Sequence, residues 1–335
     1  MLTPVPGALR DVVTPEQITA RAEILAKLQA QLGLNAAAVG ERDLALGLKE
    51  LRRLAKAHRL KLLAANLVDG AGKPAFESGF VTEVAGVKVG LFGVTEVPEG
   101  QAAPIKEAGL KTLPPAEVAT KEVARLRGLG ATVVVALAHV GTAGARALLT
   151  KVPGIDFAVV GHTSSADPIA TRAGTGYFAE AHRQGKQIGA FKLHVIAGQP
   201  GFVDGGRRQG LVALMDRQRK DYERFSTLVK NEANASRREM YLVRLRRLHQ
   251  DLAANCGLAK EPAPAGGSWF EHTLAMMNRA VPDDAEIADA VRKYKEAAPK
   301  SAAVPPPGVR APPAASMPPA GGKAPPNASM PPAGQ

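Results

Sequence analysis

The sequence predicts a layered α/β fold with mixed sheets, extended at its C-terminal side by helices and a disordered tail. Three observations carry this. Short apolar runs alternate with stretches of helical period through the first two hundred residues. The later runs, Tyr177–Ala181 and Gln187–Ile196, follow one another with no helix between them, so the sheets are mixed. Composition then shifts at Gly205-Gly206 into a long polar stretch with apolar residues at helical spacing.

The elements follow in order. Thr14-Pro15-Glu16-Gln17 has the form of a helix start, with a Thr cap, Pro in the first turn and an early acid. Ile18, Ala22, Leu25, Leu28 and Leu32 recur at helical spacing, and Gly33 ends the run. Asn35–Val39 is a short strand. Leu44–His58 is an amphipathic helix, with Leu48, Leu51 and Leu54 inward and Lys49, Arg52, Arg53 and Lys56 outward. Lys61–Asn66 is a strand. Phe80–Val84 and Val87–Val94 form a hairpin about Ala85-Gly86. Pro115–Gly128 is a helix and Ala131–Ala138 a fully buried strand. A further helix begins at Ala145, and Ile155–Val160 is a strand. From Arg207 to Asn255 a long helix or helical hairpin is expected, carrying 12 Lys/Arg against 6 Asp/Glu. Glu261–Gly267 is a linker, and Ser268–Ala297 a short helical piece with a start at Pro282-Asp283-Asp284. Residues 300–335 are Pro/Ala-rich and repeat Ala-Ser-Met-Pro-Pro-Ala-Gly at 315 and 328. That composition buries too little apolar surface to offset ordering entropy. The division expected is therefore 1–204, 205–257, 258–299 and 300–335.

Composition excludes some classes. With one cysteine, Cys256, the chain has no intrachain disulfide and no cysteine-cluster metal site. No Cys-x-x-Cys-His occurs, so there is no covalent c-type haem. No apolar run reaches the length of about 18 residues that a spanning helix needs. The first ten residues lack the apolar core of a signal peptide, so the chain as written is expected in the cytoplasm. The formal net charge of +12 fits an Arg-rich solvated surface, or an anionic partner.

Three loops carry the candidate chemistry: Gly40-Glu41-Arg42-Asp43, Ala138-His139-Val140-Gly141 and Gly161-His162-Thr163-Ser164. Each follows a short apolar run. In open α/β sheets, ligands sit at the carboxyl ends of strands. A carboxylate binds hard cations, and imidazole suits Zn and Fe. Arginine holds phosphate but does not shuttle protons near neutral pH. Read without any family in mind, Glu41, Arg42 and Asp43 also fit a charged loop and helix cap. His139 and His162 likewise fit hydrogen-bonded structural histidines.

These loops resemble the metal-binding loops of the 5'-nucleotidase branch of the calcineurin-like metallophosphatases, over roughly residues 15–197. The resemblance implies an α-β-β-α layered fold, a divalent transition metal (Mn, Zn or Fe), and hydrolysis of phosphate monoesters such as nucleotides. Family loops read Gly-Asn-His-Glu where this chain has Gly40-Glu41-Arg42-Asp43. Glu41 thus stands at a metal-ligand position, with Arg42 and Asp43 at catalytic ones. His139 and His162 stand at metal-ligand positions, and Ser164 replaces the second ligand of a Gly-His-x-His loop. Asn66 lies on a segment similar to the one that follows the Gly-Asn-His-Glu loop in the family, where it ties a loop or contacts substrate. His182 lies in a turn that in the family is near the substrate pocket, as a turn residue or a further polar group there. The family's earlier Asp-x-His and Gly-Asp-x-x-Asp motifs have no match before Asn35. The expectation is a degenerate or truncated site, with impaired catalysis and a binding or scaffolding role. An active phosphoesterase using a reduced site is the alternative. Periplasmic placement is what the resemblance implies if Met1 is not the true start. The basic helical arm offers self-association or a protein partner. Nucleic-acid binding through Arg207–Arg247 is less favoured, because Tyr222, Phe225 and Tyr241 are its only aromatic residues.

Overall fold

A computed structural model describes residues 15–162, 169–181, 185–259, 267–278 and 280–297. Thr14, Ser164, His182, the linker residues 261–266 and the tail 300–335 lie outside the described residues.

Helix α1 (Pro15–Gln31) leads into β1 (Ala37–Ala38), a single 3-10 turn at Glu41–Leu44, and α2 (Leu48–Ala57). Gly47, with a positive φ, separates that turn from α2, so the helix begins later than its apolar spacing predicts. Two short strands follow, β2 (Leu62–Leu63) and β3 (Leu67–Val68). The hairpin β4 (Gly79–Val84) and β5 (Val87–Thr95) turns on Ala85 and Gly86, both with positive φ. This is the backbone of a two-residue hairpin whose twist matches its strands. Next come α3 (Ala103–Glu107), β6 (Lys111–Thr112), α4 (Pro115–Gly128), β7 (Val133–His139), α5 (Gly141–Lys151) and β8 (Phe157–Gly161). Helix α5 starts four residues before the sequence-based expectation.

Strands β9 (Thr171–Ala173) and β10 (Gly176–Glu180) complete a six-stranded sheet in the order β4-β5-β7-β8-β10-β9. Its β5-β7-β8-β10 centre is parallel and its edges antiparallel. Strands β1 and β2 pair in parallel as a separate ribbon, and β3 pairs with β6.

The last strands are β11 (Gln187–His194) and β12 (Val203–Asp204). The chain then forms α6 (Arg207–Asn231) and α7 (Ala235–Leu258), a helical hairpin as expected. It returns as β13 (Trp269–Met276) before α8 (Ala285–Ala297). The Asp284 side chain accepts the N–H groups of Glu286 and Ile287, which caps α8. Trp269–Met276 corrects the expectation of a helical piece from Ser268. It is the middle strand of a three-stranded sheet, β11-β13-β12. Phe270 and His272 point inward at strand period, and β11 supplies the partner from far upstream.

The layers follow from side-chain alternation along the strands. Val134, Ala136 and Ala138 of β7 face α4 and α5 in one core. Val133 and Val135 face the other way, into a core shared with Phe157, Tyr177 and Phe270 under the three-stranded sheet. Phe270 has no exposed surface and stacks edge-on against both Phe157 and Tyr177. Helix α6 lies against β13 through its first turns, where Leu211 and Met215 are buried. The arrangement is α-β-β-α, as the resemblance implies. No described helix is long and apolar enough to cross a membrane.

Asp204, buried where β12 meets α6, accepts the Gly206 N–H at 3.0 Å. Burial pushes its carboxyl from 3.8 up to about 6, against the opposing pull of that hydrogen bond and of Arg207. A carboxyl raised on folding contributes stability below its unfolded pKa and loses it as pH rises through the folded one. Asp204→Asn, which stays neutral, is therefore expected to melt higher than the parent above about pH 6. The gap should close below pH 3.8. Thermal melts across that window check this, and a gap of constant size would refute it.

Candidate metal site

Two parallel strands set the histidines side by side. His139 ends β7, and its register partner on β8 is Gly161, so His162 stands one residue beyond it. The imidazoles meet edge-on, with ring centroids 5.0 Å apart. Strand order alone thus joins residues 23 positions apart in sequence.

Glu41 arrives from the β1 ribbon. The Thr95 hydroxyl, at the end of β5, donates to the Val39 carbonyl. Thr95 is also the register partner of His139. The 3-10 turn then swings Glu41 inward, where it is 3% exposed. Its Oε2 lies 2.7 Å from His139 Nε2, and its Oε1 lies 3.7 Å from His162 Nδ1. Ligand atoms of Glu41, His139 and His162 all fall within 4.8 Å of one another. Gly40 is needed for this approach: a Cβ there would sit 2.7 Å from His139 Cε1 and 2.9 Å from Nε2. His162 adopts a left-handed backbone, φ 61°, which costs a non-glycine residue roughly 1 kcal/mol or more and is characteristic of functional sites.

The electrostatics of Glu41 and His162 suit a cation. Burial pushes the Glu41 carboxyl up, but the hydrogen bond and charge of His139, a backbone hydrogen bond and His162 outweigh it. The net result lies below the ordinary carboxylate value. Burial pushes the His162 imidazole down, helped by His139 and Arg42 and opposed by Glu41. A lowered imidazole pKa favours the neutral ring, the form that donates a lone pair. Glu41 Oε1 is buried and accepts no hydrogen bond, although Arg42 Nε lies 3.3 Å away. A buried carboxylate oxygen without a hydrogen bond is costly in a native fold, and a cation at the site would offset that cost. Two imidazoles and a carboxylate suit a divalent transition metal. On these observations the residues fit one.

The remaining expected residues separate. Arg42 is at the site, its side chain about a quarter exposed. Asp43 closes its own loop, its Oδ2 accepting the Gly40 N–H at 2.9 Å. Asn66 is held by backbone groups. It is wholly buried, donates to the Thr95 and Leu113 carbonyls and accepts the Thr95 N–H, so it ties loops together. Ser164 and His182 are outside the described residues. The glycine cradle at Gly40 and the bridging role of Thr95 were missed by sequence reasoning. The signal available was the Gly immediately before Glu41. A cavity of about 590 Å³ opens nearby, lined by Glu96, whose N–H donates to the His139 carbonyl. Glu41, His139 and His162 do not line it.

No protein-family model and no curated protein matches the sequence. Solved structures do. The sulfate thiohydrolase SoxB of Thermus thermophilus, in complex with glycerol, is 24% identical over 56% of this chain and 35% of its own, with a TM-score of 0.50. A 5'-nucleotidase precursor, also from Thermus thermophilus, is 18% identical over 83% of this chain and 46% of its own, at 0.53. A candidate 5'-nucleotidase from Staphylococcus aureus, in complex with alpha-ketoglutarate, is 12% identical over 81% and 44%, at 0.50. The chain spans less than half the length of each. Identity this low speaks to fold alone: the chain shares a layered α/β fold with these proteins, a sulfate thiohydrolase and two 5'-nucleotidases.

Proposed function

We propose that the protein binds a nucleotide or other phosphate ester through one divalent transition-metal ion held by Glu41, His139 and His162, with impaired turnover. The observation that carries this reading is the buried Glu41 Oε1, which accepts no hydrogen bond inside a Glu-His-His cluster. A bound metal would supply positive charge and Lewis acidity to a phosphoryl oxygen. The chain's own residues do the rest. Arg42, beside the cluster and partly exposed, presents a guanidinium to the remaining phosphate oxygens. Asp43 holds the loop that carries both Glu41 and Arg42.

Two features favour binding over turnover. Phosphatases with two ions clamp the attacking and leaving oxygens about 3.5–4 Å apart. Among the described residues, Glu41, His139 and His162 are the group suited to a metal, and they make a set for one ion. Arg42 stands beside Glu41, and arginine cannot protonate a leaving group near neutral pH.

The test is elemental analysis of untagged protein purified without chelators, followed by calorimetry with AMP before and after metal removal. About one transition-metal ion per chain is expected, together with AMP binding that disappears when metal is stripped. Negligible metal in a protein folded by circular dichroism would overturn the reading. Brisk metal-dependent hydrolysis of AMP, abolished by His162→Ala, would replace it with an active phosphoesterase on a reduced site.

A further inference from the structure

The hairpin of α6 and α7 has no part in the metal site. Its buried residues, Leu211, Met215 and Leu248, lie toward its base. From Asp216 to Arg247 no residue is buried, although α6 alone runs about 37 Å. That stretch is strongly cationic, and arginine dominates it. Local acids hold only some of the charge: Arg219 pairs with Asp216, Arg237 with Glu232 and Arg246 with Glu239. Lys220, Arg224, Lys230, Arg238, Arg244 and Arg247 make no ion pair among the described residues.

We propose that this hairpin binds nucleic acid through the phosphate backbone, without sequence preference. Three observations select that partner. Net positive charge sets the hairpin against a second copy of itself, since like charges would face one another. The preference for arginine fits phosphate, which the guanidinium fork engages with two hydrogen bonds. A helix lying on a lipid surface separates an apolar face from a cationic one. Here Met240 and Val243, 58% and 53% exposed, share one face of α7 with Arg244 and Arg247, at spacings of three, four and seven residues. Cations and apolar groups are interleaved. Tyr222, exposed between Lys220 and Arg224 in sequence, offers a ring for stacking on a base. The sparse aromatics that weakened this reading at the level of sequence do not count against binding led by phosphate.

The experiment is fluorescence anisotropy of a short labelled DNA duplex of mixed sequence with the full chain. Binding is expected at low salt, with log K falling against log salt at a slope of roughly −3 to −5, about 0.9 for each phosphate neutralised. The double variant Arg244→Glu, Arg247→Glu should weaken binding at least about tenfold. Arg244→Lys, Arg247→Lys, which keeps the charge but not the two-pronged hydrogen bonding, should weaken binding by less than the charge reversal does. Both positions are exposed, so the variants should fold, as circular dichroism would verify. Absence of binding at low salt would overturn the proposal. So would affinity unchanged by charge reversal, or tighter binding to phosphatidylserine-containing vesicles than to the duplex.

Discussion

Glu41→Gln is expected to abolish metal retention while leaving the fold intact. The side chain keeps its length, and its amide can still hydrogen-bond His139 across the 2.7 Å contact. What disappears is the negative charge that, on the proposed reading, attracts a divalent cation to the two imidazoles. Loss of one of three ligands leaves too weak a site to survive purification, so metal content should fall from about one per chain to near zero. Folding stability gives a second readout. Metal that binds only the folded state adds about 2.7 kcal/mol at a hundredfold excess over Kd. Added Mn or Zn should therefore raise the melting temperature of the parent and leave that of the variant unmoved. Without metal, the two should melt within a few degrees of each other, because the variant removes a costly buried charge while keeping its neighbour bonded. A variant that retained metal would show that the ion sits elsewhere.

Gly93→Ala is expected to be strongly destabilising. A Cβ at Gly93 would lie 2.3 Å from the Leu63 carbonyl oxygen and 2.6 Å from its carbon. Those are backbone atoms, fixed by the Ala65 N–H donating to the Gly93 carbonyl at 2.7 Å. They have no rotamer in which to escape. Overpacking against rigid groups costs about 3 kcal/mol or more. In a protein of this size that lowers the melting temperature by roughly 4–6 °C. The same contact seats the β1-β2 ribbon on β5, and the ribbon carries Glu41. Metal affinity should therefore fall together with stability, although residue 93 touches no ligand. Melting and metal content measured on one preparation check both. Loss of stability with unchanged metal content would show that the ribbon finds its place without this contact.

The centre of the fold was legible because continuous apolar runs such as Val133–Ala138 have one stable outcome, a strand buried on both faces. His139 and His162 were legible for the same reason, since each follows such a run. Trp269–Met276 was not. Its alternation is short, its flanks are polar, and its partner lies far back in the chain, so nothing local separated strand from helix. The partners of Asn66 were not legible either. A polar residue after a strand fits a loop tie or a ligand contact equally well, and the carbonyls of Thr95 and Leu113 that take its amide are distant in sequence. Glu41 could be placed in the right loop, but its inward rotation comes from Gly40 and Thr95 acting together. That is tertiary information.

The late return of β13 bears on how the molecule assembles during synthesis. β11 pairs along its whole length with residues 269–276, and between them the chain makes the entire α6–α7 excursion. Until Phe270 has emerged, Phe157 and Tyr177 lack their lid, and β11 offers an unpaired edge. Contacts of such long sequence separation form slowly, and exposed edges of this kind recruit other chains. The growing polypeptide therefore passes through a window in which its second core is open and adhesive. The window closes with the last strand. A nascent chain arrested within the helical hairpin would be poised for aggregation rather than for a smaller native state.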